Sequence, residues 1–343
     1  MTQDPERGAV VMVTGASAGV GRAVVREFAR RRGARIGLLA RGVDRLEAAK
    51  REVEAAGGEA IVIPADVADA DAVERAATTL EERFGPIDVW VNNAMASMMA
   101  PFWQMTVEEF RRVTEVTYLG SANGTRSALR RMMPRDRGMI LQVGSALAYR
   151  SIPLQSGYCG AKHAILGLLE ALRTELLHEK SNVQLRIVHL PAVNTPQFDW
   201  IRNRMGGKSK PVGTIYQPEV AADAIVWAAY QDRPEIELGY PTVQAILGDK
   251  IAPRWLDHYV QTVWDGHVTD VPDPAGRPDN LFEPVPGNYG AHGPYDAEAW
   301  TSSPQMWLNK NRGRLALAGV GLLAALGTAL LAGRDDGPNG RRS

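Results

Sequence analysis

Apolar residues in this chain fall into short unbroken runs separated by longer helical stripes. The first run, Val10–Val13, ends in Thr14 and a glycine-rich turn, and the apolar-striped segment Arg22–Ala29 follows. Arg35–Ala40 is a second run. Val43–Ala56 then repeats apolar positions at 43, 46, 49 and 53 before Gly57-Gly58 stops it. An unbroken run reads as a strand covered on both faces, and a stripe reads as a helix with one covered face. The unit recurs in a strand at Ala60–Ile63, a helix capped by Asp69 that runs to Phe84, and a strand at Ile87–Val91. Val107–Met133 predicts a long helical region bent near Gly120. Strands at Met139–Val143, Val183–Leu190 and Ile236–Gly239 alternate with helices at Gly157–Glu179 and Pro218–Tyr230. Strands alternating with helices imply an α/β fold, a doubly wound parallel sheet with helices on both faces. The polar, glycine-containing segment Thr195–Gly213 is the expected lid.

The pattern ends near Gly248, so residues 1–248 are expected to form the α/β domain and 249–311 an extension of different character. Trp255, Leu256, Tyr259, Val260, Val263 and Trp264 make an apolar stripe at helical spacing, expected to pack on the core or on another copy of the chain. Asp270–Pro294 holds six prolines and little periodicity, which predicts a strap. Leu315–Gly333 is nineteen residues without a charge, preceded by Lys310, Arg312 and Arg314. A helix of that length spans about 28 Å, close to the hydrocarbon thickness of a bilayer, so a single membrane span is expected, with 334–343 a polar tail.

Composition narrows the function classes. Lys plus Arg equals Asp plus Glu at 39 each, which gives a nucleic-acid partner no support. Arg202, Arg204, Lys208 and Lys210 read instead as a solvated lid edge facing lipid headgroups. Cys159 is the single cysteine, so an internal disulfide is excluded and the residue reads as an inert buried thiol. The six histidines have no metal-ligand spacing, and no metal is expected. The opening MTQDPERG carries neither the basic nor the apolar part of an export signal, so the catalytic domain is expected in the cytoplasm.

The chemistry concentrates at strand ends, where an open parallel sheet places its site. Gly15, Gly19 and Gly21 form a tight turn into a helix N-terminus, whose free N–H groups favour phosphate. Ser145 follows the fifth strand. Tyr158 and Lys162, four residues apart, share one face near the start of the next helix. A phenol of pKa about 10 is a poor base, but a nearby ammonium, a cationic nicotinamide and the positive helix end would all favour its phenolate.

Thr14-Gly15-x-x-x-Gly19-x-Gly21, Asp66, Asn92-Asn93-Ala94, Ser145 and Tyr158-x-x-x-Lys162 together resemble the short-chain dehydrogenase/reductase family over Gly8–Gly248. The resemblance implies a Rossmann-type fold and a homo-oligomer. It also implies hydride transfer between a nicotinamide cofactor and a small-molecule carbonyl/alcohol pair. In that family the glycine turn, here with Ser17 and Val20, holds the diphosphate, and Asp66 with Val67 meets adenine. Asn93 and Thr195 complete the cofactor set. The serine orients the reacting oxygen, the tyrosine is the acid/base, and the lysine binds the nicotinamide ribose. Three departures stand out. Met95 replaces the glycine after Asn-Asn-Ala, Thr117 stands where an asparagine supports a water relay, and Pro191-Ala192 replaces Pro-Gly. Ala40 occupies the place of the NAD-selective acid, with Arg41 beside it and Arg22 just after the turn. NADP(H) is therefore the expected cofactor, with NAD(H) the alternative. The competing readings are an NAD-dependent alcohol dehydrogenase and a membrane-tethered scaffold with a vestigial nucleotide site. The lid and the aromatic extension point to an apolar substrate.

Overall fold

The computed structural model of the chain describes residues 8–274 and 276–315. Its centre is a sheet of seven strands: β1 (Val10–Thr14), β2 (Arg35–Ala40), β3 (Glu59–Pro64), β4 (Val89–Asn92), β5 (Met139–Ser145), β6 (Gln184–Leu190) and β7 (Glu235–Glu237). Every pairing is parallel, in the order β7-β6-β5-β4-β1-β2-β3. Val11 of β1 lies opposite Ile36 on one side and Val89 on the other. The chain builds one flank from β1 outward, returns, and builds the other flank from β4. Connections leaving β1 and β4 therefore diverge and open a crevice at their carboxyl ends.

Helices α1 (Gly19–Arg32), α2 (Val43–Ala55) and α3 (Ala70–Phe84) follow the first three strands. The expected stripes are the covered faces: Val24, Val25 and Phe28 of α1 and Val73, Ala77 and Leu80 of α3 have no exposed surface. Each such large apolar side chain contributes about 1.5–3 kcal/mol. Asp69 caps α3 as its position predicted, accepting from the Asp71 and Ala72 amides at 2.9 and 3.0 Å. The last strand begins and ends earlier than expected, because Gly239 already leads into the next helix.

The long helical region is in three pieces, α4 (Val107–Thr114), a π-helical turn (Glu115–Leu119) and α5 (Gly120–Met132). A widened turn, not a glycine bend, makes the irregularity. Gly120 allows close approach there, since a Cβ would stand 2.5 Å from Val67 Cγ2. Helix α6 (Ser156–His178) covers β5, and α7 (Pro218–Ala228) packs beside α1.

The segment expected as a lid is stitched at several points. It holds a short helix at Gln197–Trp200, and Arg202–Asn203 pairs with Met98–Met99. Gly207–Ser209 pairs antiparallel with Val268–Pro272 of the extension. Its basic run is a solvated edge only in part: Arg202 and Arg204 both reach the buried Glu109 carboxylate, at 3.0 and 2.6 Å, and Arg202 also holds Asp279, whereas Lys208 is exposed.

Helices α8 (Tyr240–Ile251) and α9 (Pro253–Val260) carry the chain past Gly248 without a break in packing. The chain through Ser302 forms one compact unit, and Ser303 begins a second, in which residues 304–315 are helical. No helix among the described residues is long and apolar enough to cross a membrane. Apart from Leu315, the expected span Leu315–Gly333 lies outside the described residues, as does the polar tail.

Candidate active site

A cleft of about 920 Å³ runs along the carboxyl ends of the strands. One end is formed by the turn after β1. Gly15 has φ +68°, and a Cβ there would meet Ala94 Cα at 2.8 Å; one on Gly21 would meet the Gly15 carbonyl at 2.2 Å. The turn is fastened to the end of β4. Thr14 Oγ1 accepts from the Asn93 and Ala94 amides, both at 3.0 Å, and Asn93 Nδ2 donates to the Thr14 and Gly15 carbonyls. Asn93 thus holds the turn from below while bordering the cleft. Ser17, Gly19, Val20 and Thr195 border it too.

The ends of β2 and β3 supply charge. Asp66 accepts from the Ala68 amide through one oxygen and pairs with Arg112 through the other, while Val67 lines the cleft beside it. Arg41 donates to the main-chain carbonyls of Phe282 and Asn280 at 2.6 and 2.5 Å. Burial, with Arg112 nearby, pulls its guanidinium below the usual arginine range. Arg22 does not fit the place the sequence suggested. It is 1% exposed, paired with Glu52 at 2.7 Å, and does not border the cleft. Arg45, four residues after Arg41 and in the first turn of α2, does border it and was missed; its spacing from Arg41 was the available signal. It donates to the Val285 carbonyl and stacks on Trp200, 4.9 Å from the ring centroid.

Five strap carbonyls meet this end of the cleft. Besides the carbonyls on Arg41 and Arg45, Leu281 O accepts from Arg112 at 3.0 Å and Gly290 O accepts from the Gly19 amide at 3.1 Å. Asn280 and Pro284 are part of the cleft wall. The proline-rich strap is therefore a structural part of the site, which its weak periodicity did not reveal.

The chemically reactive end lies where β5 gives way to α6. Ser145 Oγ accepts from the Leu147 amide at 3.1 Å, and the Ser145 carbonyl meets His189 Nδ1 at 3.2 Å. Tyr158 stands in the first turn of α6, with Lys162 Nζ 5.5 Å from its ring centroid. Lys162 is 3% exposed and donates to the Val143 carbonyl at 2.7 Å. Desolvation pushes its ammonium down to about 8. Burial likewise holds the Tyr158 phenol above its ordinary value, partly opposed by the Ser145 hydroxyl. Burial thus opposes the phenolate, which the sequence argument favoured with a cationic nicotinamide bound beside it. Cys159 beside it is buried and its thiol is pushed up, as expected of an inert group.

Thr117 is placed differently from the relay expected of it. It is fully buried in the π-helical turn, and its hydroxyl donates to the Ala96 carbonyl at 2.8 Å while accepting from the Ala96 amide at 3.0 Å. The side chain is committed to shaping the loop that carries Met95, and Met95, not Thr117, borders the cleft.

On the far side of the reactive end the wall is mostly apolar. Leu147, Ile152 and Phe198 line it together with Trp255, Tyr259 and Val263 of the extension. The stripe of α9 is split between two surroundings: Leu256 and Val260 are buried, whereas Trp255 and Tyr259 are 65% and 56% exposed. Among the described residues no cluster of His, Cys, Asp and Glu could hold a metal ion.

A parallel doubly wound sheet with a glycine turn at one end of its crevice and Ser-Tyr-Lys at the other defines a class of nucleotide-dependent enzymes. Residues 9–205 match the short chain dehydrogenase family, and the chain belongs to that family as an oxidoreductase acting on CH–OH or C=O groups. It is 30% identical over 256 residues to an uncharacterized oxidoreductase of Bacillus subtilis, covering 74% of this chain and 72% of that one. It is 34% identical over 237 residues to a 3-dehydrosphinganine reductase of Danio rerio, covering 65% and 69%. Among solved structures, a metagenomic short-chain oxidoreductase in complex with NADP superposes with a TM-score of 0.57 at 28% identity, covering 68% of this chain and 97% of that one. The family fold binds a nicotinamide cofactor. A cradle that a Cβ at Gly15 or Gly21 would fill, with arginines at one end and a buried lysine at the other, fits such a group.

Proposed function

We propose that the chain interconverts an apolar carbonyl compound and its alcohol with NADP(H), and that Tyr158 carries the proton. The observation that carries this reading is the meeting of Ser145, Tyr158 and Lys162 in one cleft with the glycine turn. Gly15, Ser17, Gly19, Val20 and Gly21 would hold the diphosphate, Asp66, Val67 and Asn93 the adenine side, and Thr195 and Lys162 the nicotinamide end. The nicotinamide, when bound, supplies or accepts the hydride. Ser145 donates a hydrogen bond to the substrate oxygen. In the reductive direction Tyr158, held neutral by burial, gives its proton to that oxygen as the carbon gains hydride; in the oxidative direction it takes the proton back. The Lys162 ammonium stabilises the phenolate left behind. Its lowered pKa keeps its proton loosely held, so a second transfer can restore the phenol.

The preference for NADP(H) over NAD(H) is supported by Ala40, Arg41 and Arg45. An acid at position 40 would repel a 2′-phosphate, whereas two guanidiniums at the same end suit one. The name 3-dehydrosphinganine reductase, borne by one relative, supports a reductive role and a carbonyl substrate. The uncharged run at 315–333 supports work beside a membrane, with the polar tail across it.

Full-length protein, tested against a panel of ketones and alcohols with each cofactor, should turn over ketones best with NADPH. Tyr158→Phe should keep cofactor binding and lose about 10²–10⁴-fold in turnover. Near-normal turnover by the folded, cofactor-bound variant would remove Tyr158 from the role. The same preparation should stay with membranes through a carbonate wash and leave them with detergent, and release by carbonate would defeat the tether alone.

A further inference from the structure

One polar side chain on the substrate side of the cleft has no partner. His267 lies between the short helix Val263–Gly266 and the strand Val268–Pro272, beyond the region that matches the family. Its main chain is fixed, with the carbonyl accepting from the Lys210 amide at 2.9 Å. Its side chain is 1% exposed, and neither Nδ1 nor Nε2 has a hydrogen-bond partner, yet the residue borders the cleft. Burial pushes the ring down to about 4. The Lys210 main chain opposes this in part without reaching hydrogen-bond geometry to either nitrogen. At neutral pH the ring is therefore an uncharged imidazole with one donor and one acceptor. Leaving a buried polar group unsatisfied costs about 1–3 kcal/mol. Arg150, the other lining residue with an orphaned nitrogen, differs because its remaining nitrogens hold Asp249 and Asp257.

We propose that His267 reads the substrate. It hydrogen-bonds a neutral hydroxyl or amide on an otherwise apolar carbonyl compound, away from the carbon that exchanges hydride. This rests on the oxidoreductase reading above and adds to it a substrate class: an apolar chain with two polar points, the reacting oxygen at Ser145 and Tyr158 and a second uncharged group at His267. A carboxylate is a poorer match, because the ring is neutral and the Arg150 cation in the cleft wall is already matched by two aspartates.

The test uses a graded series of straight-chain ketones, each with and without a hydroxyl toward the far end of the chain, given to full-length protein with NADPH. Wild type should prefer the hydroxylated ketone of matching length in kcat/KM. His267→Phe should lose that preference by about tenfold to a hundredfold, mainly through KM, and His267→Gln should recover part of it. The Phe variant should melt at the same temperature as wild type or higher, since two orphaned atoms are gone. A wild type without preference, or a Phe variant that keeps it, overturns the proposal. So does a Phe variant that melts lower and weakens both ketones alike, which marks a structural histidine. Equilibrium binding of the same ketones to Tyr158→Phe protein reads the preference without turnover. Selective binding there, with no reduction of any ketone by wild type, would fail the oxidoreductase reading and leave His267 in place.

Discussion

The two ends of the cleft are built in opposite ways. At the nucleotide end every charged group described has a partner: Asp66 has Arg112, Arg41 two carbonyls, and Arg45 a carbonyl and an indole. Most of those partners are main-chain groups of the strap. At the substrate end the wall is apolar, two large aromatics stand exposed, and a buried imidazole has no partner. The first end suits a fixed, charged, hydrogen-bonding ligand. The second suits an apolar one with little to bond. Lys162 sits between them, buried like the substrate side but charged like the nucleotide side, with one carbonyl at 2.7 Å.

That intermediate position gives the largest expected effect, seen in stability against pH. Lys162 has a folded value of about 8 against an ordinary 10.5. Below pH 8 both states are protonated and the full desolvation penalty opposes folding. Between 8 and 10.5 the folded chain sheds the proton while the unfolded chain keeps it, so stability rises with pH, by about 3 kcal/mol at most. Tyr158 acts with the opposite sign above pH 10, because burial keeps its proton on in the folded state alone. Denaturant titrations of wild type and Lys162→Met should therefore show the difference moving in favour of wild type from pH 8 to pH 10. A pH-independent difference would mean that the lysine is not desolvated as the geometry has it.

A smaller effect probes the nucleotide end. Arg41→Ala should weaken NADP(H) by about 1.5–3 kcal/mol, the worth of hydrogen bonds to a charged group, and NAD(H) far less. It should also free the Asn280 and Phe282 carbonyls and speed amide exchange in the strap. Equal weakening of both cofactors, with faster strap exchange, would leave Arg41 as a strap anchor and remove it from cofactor choice.

The same contrast explains what the sequence disclosed. The sheet and the glycine turn were readable because they rest on local rules: apolar runs for doubly covered strands, and glycine where Gly15 and Gly21 leave no room for a Cβ. Ser145, Tyr158 and Lys162 were readable because one strand end and one helix turn bring them together. Arg22 misled, since helix geometry turns it toward Glu52 and away from the cleft. Thr117 misled because its hydroxyl partners, the Ala96 carbonyl and amide, are twenty-one residues away and invisible to spacing. The strap and His267 were illegible for the same reason. Their place is fixed by main-chain carbonyls and by pairing with Gly207–Ser209, which leave no periodic side-chain pattern.

The smallest effect concerns the rim at the substrate end. Trp255 and Tyr259 are one helical turn apart on α9, with ring planes 4° from parallel and centroids 5.7 Å apart. Both border the cleft while more than half exposed, so they have one face for solvent and one for whatever enters. Leu256 on the same helix is 9% exposed, and its truncation would be felt in stability. Trp255→Ala removes little buried surface from the protein itself. It would remove about 40 Å² of apolar contact with a bound chain, about 1 kcal/mol, or several-fold in KM. The loss should grow with the length of the ketone's apolar chain and vanish for the shortest ketone. A KM unchanged across the series, with a clear fall in melting temperature, would make the stacked pair a buttress of α9 and leave the apolar wall to Leu147, Ile152 and Phe198 alone.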